Sequence, residues 1–311
     1  MTTDRVNRVG AAQGGGGQEP TGASLYDQVA METASVVIRR YSTSFGLASR
    51  LLSPAVRQDV ENIYALVRLA DEVVDGVAAS AELSAAEITD RIDALERETC
   101  EALKCGYSTN LIVHAFGITA RRAGFGEELT EPFFRSMRAD ISATRHTPES
   151  FVDYVYGSAE VVGLMCLAAF LRGETVPADR LQVLVDGGRH LGAAFQKINF
   201  LRDLAADFGA LGRSYFPGID VNTFTETEKA RIIADIDDDL RIARASLPLL
   251  PASSRRAVAL AQALFEELTD RLRATPAAVL ATARIRVPNP VKARLALGAA
   301  VGRLPRERVT R

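Results

Sequence analysis

The sequence predicts a single all-α domain, and three features of the chain support that prediction. Ala and Leu dominate the 311 residues, while aromatic residues make up only 6% and Trp is absent, which favours helices over strands. From Leu25 onward, apolar residues recur at intervals of three and four, as on the buried face of a helix. No alternating segment of strand length and no Gly/Ser-rich linker interrupts residues 25–300, so we expect one domain.

The predicted helices follow from this periodicity and from the residues that begin and end it. Proline is tolerated in a first helical turn, so Pro54 begins a helix that runs to about Val74, with Gly76 as its stop. Five more helices are predicted at about 84–104, 108–123, 127–142, 148–172 and 178–211.

Three further helices are predicted in the C-terminal third of the chain. Thr225 to Glu228 has the pattern of a capping box, which predicts a helix from there through Ser246. The next helix is predicted at about 253–274, and a last one follows Pro290.

The two ends of the chain lack this helical pattern. Residues 1–23 are Gly-rich and predicted to form a flexible tail, residues 24–302 form the folded domain, and residues 303–311 form a basic tail. The N-terminal segment has no apolar stretch of the kind found in secretory signals. The longest apolar run, Val161 to Leu171, is well short of the ~20 residues that span a bilayer. We therefore expect a cytoplasmic protein.

Charge and cysteine content exclude several classes of protein. The chain has 37 Lys and Arg against 39 Asp and Glu, so it lacks the basic excess of a nucleic-acid binder. Its three cysteines, Cys100, Cys105 and Cys166, are too few for a disulfide framework and are not spaced as zinc ligands. We expect reduced thiols and no nucleic-acid partner.

The first acidic motif is RLADEVVDG, residues 68–76. Asp71 and Asp75 are four residues apart, so both carboxylates project from one face of the predicted helix, and Arg68 lies one turn before Asp71. The surrounding segment is mostly apolar, and carboxylates in such a setting are costly to desolvate unless a cation joins them. An ordinary solvated acidic face with an arginine partner is the alternative interpretation.

The second acidic motif is QKINFLRDLAADFGALGRSYFP, residues 196–217. Spacings of three, four and four place one polar stripe along an otherwise apolar helix, formed by Gln196, Asn199, Asp203 and Asp207. Arg202 stands beside this stripe, and Arg213 and Tyr215 follow the predicted helix end. A helix with one solvated side is again the alternative.

Together the two motifs predict a particular chemistry. Carboxylate ligands without nearby His or Cys suit Mg²⁺, which usually binds one or two carboxylates together with substrate phosphates. Two such faces across a cavity would hold several Mg²⁺ ions around a diphosphate, and arginines would balance the remaining charge. The implied reaction is ionisation of an allylic diphosphate to a carbocation, with pyrophosphate as the leaving group.

Five motifs in order give the chain a family resemblance over about residues 25–300. It resembles the squalene/phytoene synthases, the head-to-head prenyl-diphosphate synthases, in YSTSFGLASRLL (41–52), YALVRLADEVVDG (64–76), YVYGSAEVVGLM (154–165), QKINFLRDLAADFGALGRSYFP and RIRVPNPVK (284–292). The resemblance implies an isoprenoid-synthase-type helical bundle around a central apolar cavity, with residues 24–302 as the catalytic domain.

The resemblance also implies roles for individual residues. Asp71 and Asp75 would bind Mg²⁺, or Mn²⁺, on one wall, and Asp203 and Asp207 on the other. The residues implied to act at the diphosphates and the reacting allyl groups are Arg68, Arg202, Gln196, Asn199 and Tyr154. The residues implied to bind the rest of the substrate are Tyr41, Ser42, Ser44, Phe45, Ala159, Val162, Gly163, Arg213, Tyr215 and Arg286. For Ala159, Val162 and Gly163, simple helix packing is an equal alternative.

The chain departs from the family pattern at three places. Ala206–Asp207 stands where the family usually has Glu-Asp, and the spacing from Asp207 to Arg213 is one residue longer. In the central helix, Glu160 and Val161 replace the usual Gly-Thr. These changes leave the exact product and the geometry near Asp207 open.

By resemblance, the protein condenses two geranylgeranyl diphosphates through prephytoene diphosphate to phytoene, releases pyrophosphate, and needs no nicotinamide. Three alternatives are open. The same fold could use farnesyl diphosphate to give squalene, presqualene diphosphate or dehydrosqualene. It could be a cyclase or prenyltransferase that takes one diphosphate, or a non-catalytic scaffold. The base is either the released pyrophosphate or a tyrosine such as Tyr154.

The basic C-terminal region has two interpretations. Arginines and lysines from Arg284 to Arg311 suit anionic lipid headgroups, and both substrate and product are lipids, so a peripheral contact with the cytoplasmic membrane is one expectation. The other is that this basic region is solvated or faces the diphosphate.

Overall fold

The computed structural model describes residues 22–75, 81–211 and 213–302, without the side chains of residues 22–24, 207 and 209–211. The predicted stop at Gly76, residues 1–21 of the predicted tail and the basic tail 303–311 lie outside the described residues. The described part is built from α1 (Gly22–Tyr41), α2 (Ser44–Ser49), α3 (Pro54–Val74), α4 (Ala85–Cys105), α5 (Leu111–Ala123), α6 (Glu127–Ser142), α7 (Pro148–Val155), a π-helical turn (Tyr156–Glu160), α8 (Val161–Leu171), α9 (Ala178–Leu211), α10 (Glu226–Ser246), α11 (Ala252–Ala274), α12 (Ala277–Leu280) and α13 (Asn289–Ala300).

The all-α prediction is confirmed. The described residues contain no β-strand, only an isolated bridge between Arg145 and Ser214. The predicted capping box before α10 is present: the Thr225 hydroxyl accepts the Glu228 amide at 3.2 Å, and the Glu228 carboxylate accepts the Thr225 amide at 2.8 Å. These two bonds satisfy backbone donors that the first helical turn leaves free.

Two helix boundaries differ from the prediction for local reasons. The helix predicted from residue 108 begins at Leu111, because the Asn110 side chain caps it by accepting the amides of Ile112 and Val113. The helix predicted over 148–172 is interrupted by the π-helical turn, which closes with a bond from the Val161 amide to the Tyr156 carbonyl.

The apolar core lies in two main clusters, one on each side of a central cavity. The first joins α1, α3, α4, α5, α6 and α8 around the fully buried Phe116, Phe133 and Phe134. The second joins α9, α10 and α11, with Ile198 and Leu201 at its centre. Residues of α2, α3, α8, α9 and α11 line the cavity between the clusters.

Close packing of α8 and its π-helical turn against α9 fixes one wall of this cavity. A Cβ atom on Gly163 would lie 2.3 Å from the Gly188 carbonyl oxygen, and one on Gly192 would lie 2.5 Å from the Ala159 carbonyl oxygen. Both distances are far shorter than van der Waals contact, so only glycine permits this approach. The contact sets Ser158 and Ala159 beside the polar stripe of α9.

By length and composition alone, the helical run Pro148–Leu171, which includes the π-helical turn, is apolar enough to cross a membrane, and it is the one such run in the described part of the chain. Val161 and Met165 of this run are buried in the core, and Val162 lines the cavity. A core helix of a globular domain has the same composition, so the run is weak evidence for a membrane span.

Candidate active site

The central feature of the molecule is a polar cavity of about 840 Å³ beside an apolar cavity of about 320 Å³. Six residues line both, and we call them the neck: Phe45, Tyr64, Val67, Ser158, Gln196 and Asn199. An apolar chain with an anionic end would therefore place its charged end and its tail in different chemical surroundings.

One wall of the polar cavity is the C-terminal end of α3. Arg68 forms ion pairs with Asp71, at 2.6 Å, and with Glu72, and its guanidinium lies 4.5 Å above the ring centre of Tyr41. Burial and the neighbouring Asp75 carboxylate raise the pKa of Asp71 to about 6, although Arg68 opposes the shift. The wall thus carries crowded carboxylates that a further cation would stabilise.

Asp75, at the end of the same helix, is held by a residue distant in sequence. Arg213 Nη1 lies 2.5 Å from Asp75 Oδ1, and Arg213 also donates to the Asp140 backbone carbonyl and to the Tyr215 hydroxyl. Arg213 itself lines neither cavity. Arg213 therefore lies outside the cavity lining and holds Asp75 in position. Its predicted contact with substrate stays a prediction.

The opposite wall is formed by α9. Asp203 is paired with Arg202, whose Nε lies 2.9 Å from Oδ1, and with Arg284, whose Nε lies 2.8 Å from the same oxygen. Gln196 and Asn199 precede Asp203 on this helix and reach the neck. The side chain of Asp207 lies outside the described residues, so its predicted metal role stays a prediction.

Most residues predicted to act together do lie together. The polar cavity is lined by Tyr41, Ser42, Ser44, Phe45, Arg68, Asp71, Asp75, Tyr154, Gln196, Asn199, Arg202, Asp203, Tyr215 and Arg286. The apolar cavity is lined by Ala159, Val162 and Gly163. Gly163 also packs against the backbone of α9, so it contributes to helix packing as well as to the cavity lining.

Aromatic rings cover parts of both cavities. Phe195 and Phe265 stack with centroids 3.8 Å apart beside Phe45 at the neck. Phe200 and Tyr215 stack with centroids 3.9 Å apart in the polar cavity. The faces of such rings carry negative potential that stabilises nearby positive charge.

The sequence analysis missed a buried carboxyl group at this site. Both oxygens of Asp140 accept the Tyr154 hydroxyl, each at 2.8 Å, and both residues are almost completely buried. Burial and the charge of Asp75 raise the pKa of Asp140 to about 8, against the opposing effects of Tyr154 and Arg213. A signal was present: Asp140 lies three residues after Met137 and seven after Phe133, on the apolar face of α6.

Four further residues lie at the site: Tyr64 and Ser158 were not predicted to act there, while Arg284 and Lys292 were predicted only as part of the basic C-terminal region. Tyr64 and Ser158 belong to the neck, and the Ser158 hydroxyl is buried without a hydrogen-bond partner among the described residues. Arg284 pairs with Asp203, and Lys292 donates to the Thr43 hydroxyl at 3.0 Å. Ser158 is the one serine or threonine in the motif YVYGSAEVVGLM, which was the available signal.

The basic segment before and within α13 faces the polar cavity. Arg284, Arg286 and Lys292 all line it. The C-terminal basic residues from Arg303 onward lie outside the described part of the chain. The geometry of the described basic residues fits the interpretation in which they face a bound anion.

The donor atoms at the cavity fit a divalent cation held jointly with a phosphate-bearing ligand. Asp71, Asp75 and Asp203 offer only oxygen atoms, the donors that Mg²⁺ prefers. Residues 22–75, 81–211 and 213–302 show no group of three or more His, Cys, Asp or Glu side chains able to hold a metal without such a ligand. Mg²⁺ commonly binds through one or two carboxylates and completes its shell with phosphate oxygens.

Asp140→Asn is expected to change how stability depends on pH. The pKa of Asp140 rises from 3.8 to about 8 on folding, so between these values the folded protein holds a proton that the unfolded chain has lost. The free energy of unfolding of the wild type therefore falls as the pH rises through this range. The free energy of unfolding of the asparagine variant should not fall in this way. Between about pH 5 and pH 8, the difference in free energy of unfolding between the variant and the wild type should therefore change by at least about 1 kcal/mol in favour of the variant.

Urea unfolding in a chelating buffer checks this expectation, because a bound cation would alter the charge near Asp75. A stability difference between the variant and the wild type that is the same at every pH would contradict the raised pKa of Asp140.

The fold and the site define a class of protein: an all-α protein in which a polar cavity lined by carboxylates and arginines adjoins an apolar cavity. The family profile described as squalene/phytoene synthase matches residues 38–291. The chain belongs to the squalene/phytoene synthase family, a family of prenyltransferases.

Individual relatives are similar to this chain over part of their length. A 15-cis-phytoene synthase from Paracoccus sp. is 30% identical over 188 residues, which cover 60% of this chain and 59% of that protein. A phytoene synthase from Arthrospira platensis is 30% identical over 217 residues, or 68% of each chain. The alignments thus span about three fifths to two thirds of these relatives.

A solved structure supports the fold. A dehydrosqualene synthase in complex with a ligand superposes with a TM-score of 0.74 at 20% identity, covering 89% of this chain and 97% of that one. At this identity the likeness establishes the fold, and the isoprenoid-synthase-type helical bundle implied by the sequence is confirmed.

Proposed function

We propose that the protein condenses two molecules of geranylgeranyl diphosphate head to head, with Mg²⁺, to give phytoene. The observation that carries this proposal is the acidic and arginine-rich polar cavity joined through the neck to an apolar cavity. The similarity to two phytoene synthases supports the choice of substrate.

The basic residues around the polar cavity provide the binding site for the diphosphates. Arg68 and Arg202 stand on opposite walls, and Arg284, Arg286 and Lys292 line the mouth. Guanidinium groups bind phosphate oxygens in pairs, which orients the leaving group as well as neutralising it. Mg²⁺, held by Asp71, Asp75 and Asp203, would supply further charge neutralisation that makes diphosphate a better leaving group.

The neck is the place where the reacting carbon atoms meet. With the diphosphate in the polar cavity and the tail in the apolar one, the first carbon of the prenyl chain lies beside Phe45, Tyr64 and Asn199. The aromatic faces stabilise positive charge at this carbon, and the apolar walls keep out water that would capture the cation as an alcohol.

The bond changes follow from this placement. The carbon–oxygen bond of one substrate breaks with its electron pair left on pyrophosphate, and the alkene of the second substrate attacks the cation. Loss of a proton closes the cyclopropane of prephytoene diphosphate. A second ionisation, rearrangement and proton loss give phytoene, without a nicotinamide.

The same reaction on farnesyl diphosphate is the second candidate. The sequence similarity to a 4,4'-diapophytoene synthase from Staphylococcus haemolyticus, 28% identical over 189 residues, favours it. The two candidates differ only in the length of chain that the apolar cavity accepts.

Localisation follows the chemistry of the product in this proposal. A C40 hydrocarbon partitions into lipid, so a cytoplasmic protein that releases it is expected to contact the membrane peripherally. The exposed Leu297 and Val301 beside the positively charged Arg294, at the end of α13, support such a contact.

Product analysis tests the proposal directly. Purified protein is incubated with Mg²⁺ and either geranylgeranyl or farnesyl diphosphate, and organic extracts are examined by mass spectrometry and absorbance. We expect a C40 hydrocarbon with the absorbance of phytoene from the C20 substrate. A C30 product alone would identify farnesyl diphosphate as the substrate instead. Intact substrates in every reaction would contradict the proposal.

A further inference from the structure

The Tyr154 hydroxyl is hydrogen-bonded to a buried carboxylate. It donates to both oxygens of Asp140, each at 2.8 Å, and the two side chains are 5% and 4% exposed. Both residues also line the polar cavity. A phenol oxygen that donates its proton in this way still has lone pairs, which can accept a proton from a molecule in the cavity.

The Asp140 carboxylate has polar and charged neighbours, but none of them forms a close ion pair with it. Arg213 Nη1 lies 4.0 Å from Oδ1, while its other nitrogen donates to the Asp140 backbone carbonyl. The Tyr215 hydroxyl lies 3.5 Å from Oδ1, and Asp75 acts on Asp140 through its charge. The ring of His146 packs 4.8 Å from that of Tyr154.

These neighbours give Asp140 the properties of a proton acceptor. In its ionised form, a buried carboxylate whose nearest cationic nitrogen is 4.0 Å away is a stronger base than one in water. Its position is fixed by α6 and by Arg213, so Tyr154 is held in one orientation.

We propose that Asp140 is a positioning residue that takes the phenol proton of Tyr154 when Tyr154 removes a proton from the reacting prenyl chain. This inference rests on the proposed condensation. Closing the cyclopropane joins C1 of the ionised substrate to both alkene carbons of the other, so a C1–H bond breaks and its electron pair forms the new carbon–carbon bond. The C1 proton binds the Tyr154 oxygen while the phenol proton passes to Asp140.

Asp140→Asn tests this relay because asparagine can still accept the Tyr154 hydrogen bond but cannot take the proton. Steady-state rates are measured above pH 8, where Asp140 is ionised, with geranylgeranyl diphosphate carrying either hydrogen or deuterium at C1. We expect kcat to fall by about 10- to 100-fold. We also expect the deuterium isotope effect on kcat to increase, since proton removal becomes the slow step. Asp153→Asn, at an exposed position beside Tyr154, is the matched control and should match the wild type in both.

A second variant separates the relay from simple loss of structure. In a Tyr154→Phe background the relay is already absent, so adding Asp140→Asn should cause little further loss of rate. Independent, multiplying losses would overturn the proposal, as would a wild-type isotope effect in Asp140→Asn. If the wild type made no condensation product at all, the proposed function would fail instead.

Discussion

Asp71→Asn and Asp203→Asn are each expected to lower the rate of condensation by more than about 100-fold while the protein stays folded. The two carboxylates lie on opposite walls of the polar cavity. Each also pairs with an arginine of its own helix, Asp71 with Arg68 and Asp203 with Arg202. Either substitution removes a carboxylate that would hold Mg²⁺, so a bound diphosphate would have too little positive charge around it.

Stability should respond differently from activity in Asp71→Asn. Because burial and Asp75 already disfavour the charged form of Asp71, its neutral replacement should leave the melting temperature unchanged or raise it. Pyrophosphate release and thermal unfolding by circular dichroism measure the two effects. The exposed Asp238 offers a control in Asp238→Asn, and wild-type rates in both cavity variants would refute the assigned roles.

Gly163→Ala is expected to lower the free energy of unfolding by roughly 1 to 3 kcal/mol, because the new methyl group would overlap the Gly188 carbonyl oxygen at 2.3 Å. The helices α8 and α9 must then separate, and this movement also displaces the neck residues Ser158 and Gln196. We therefore expect a lower melting temperature together with a reduced rate of condensation.

Gly298→Ala is the matched control for this substitution. Gly298 lies in α13, where a Cβ atom would meet nothing within 4 Å, so alanine should be neutral or slightly stabilising there. Urea unfolding curves of the two variants give the comparison. Equal stability of Gly163→Ala and the wild type would show that α8 and α9 are not in the close contact described.

The sequence was sufficient to predict most helices and both acidic motifs, since each depends on local spacing. Pro54 and the Thr225 capping box marked helix starts correctly because their effect is confined to one turn. The π-helical turn at Tyr156 was not predicted, because no local spacing marks it; in the structure it lies where Ala159 closely approaches Gly192 of α9.

The same distinction applies to the site. Asp71 and Asp75 could be found because they lie four residues apart on one helix. The pairs Arg213–Asp75 and Asp140–Tyr154 join different elements, so only the tertiary structure brings them together. Arg284 belongs to a segment that the sequence marked as basic, but its contact with Asp203 requires the folded chain.

The central claim, that two prenyl diphosphates are joined in the cavity, is tested most directly with isotopic mixing. An equal mixture of unlabelled and fully ¹³C-labelled geranylgeranyl diphosphate is incubated with the protein and Mg²⁺, and the product is weighed by mass spectrometry. Joining of two molecules predicts light, mixed and heavy C40 products, with the mixed species twice as abundant as either of the others. Only light and heavy products of C20 size, with no mixed species, would contradict the claim.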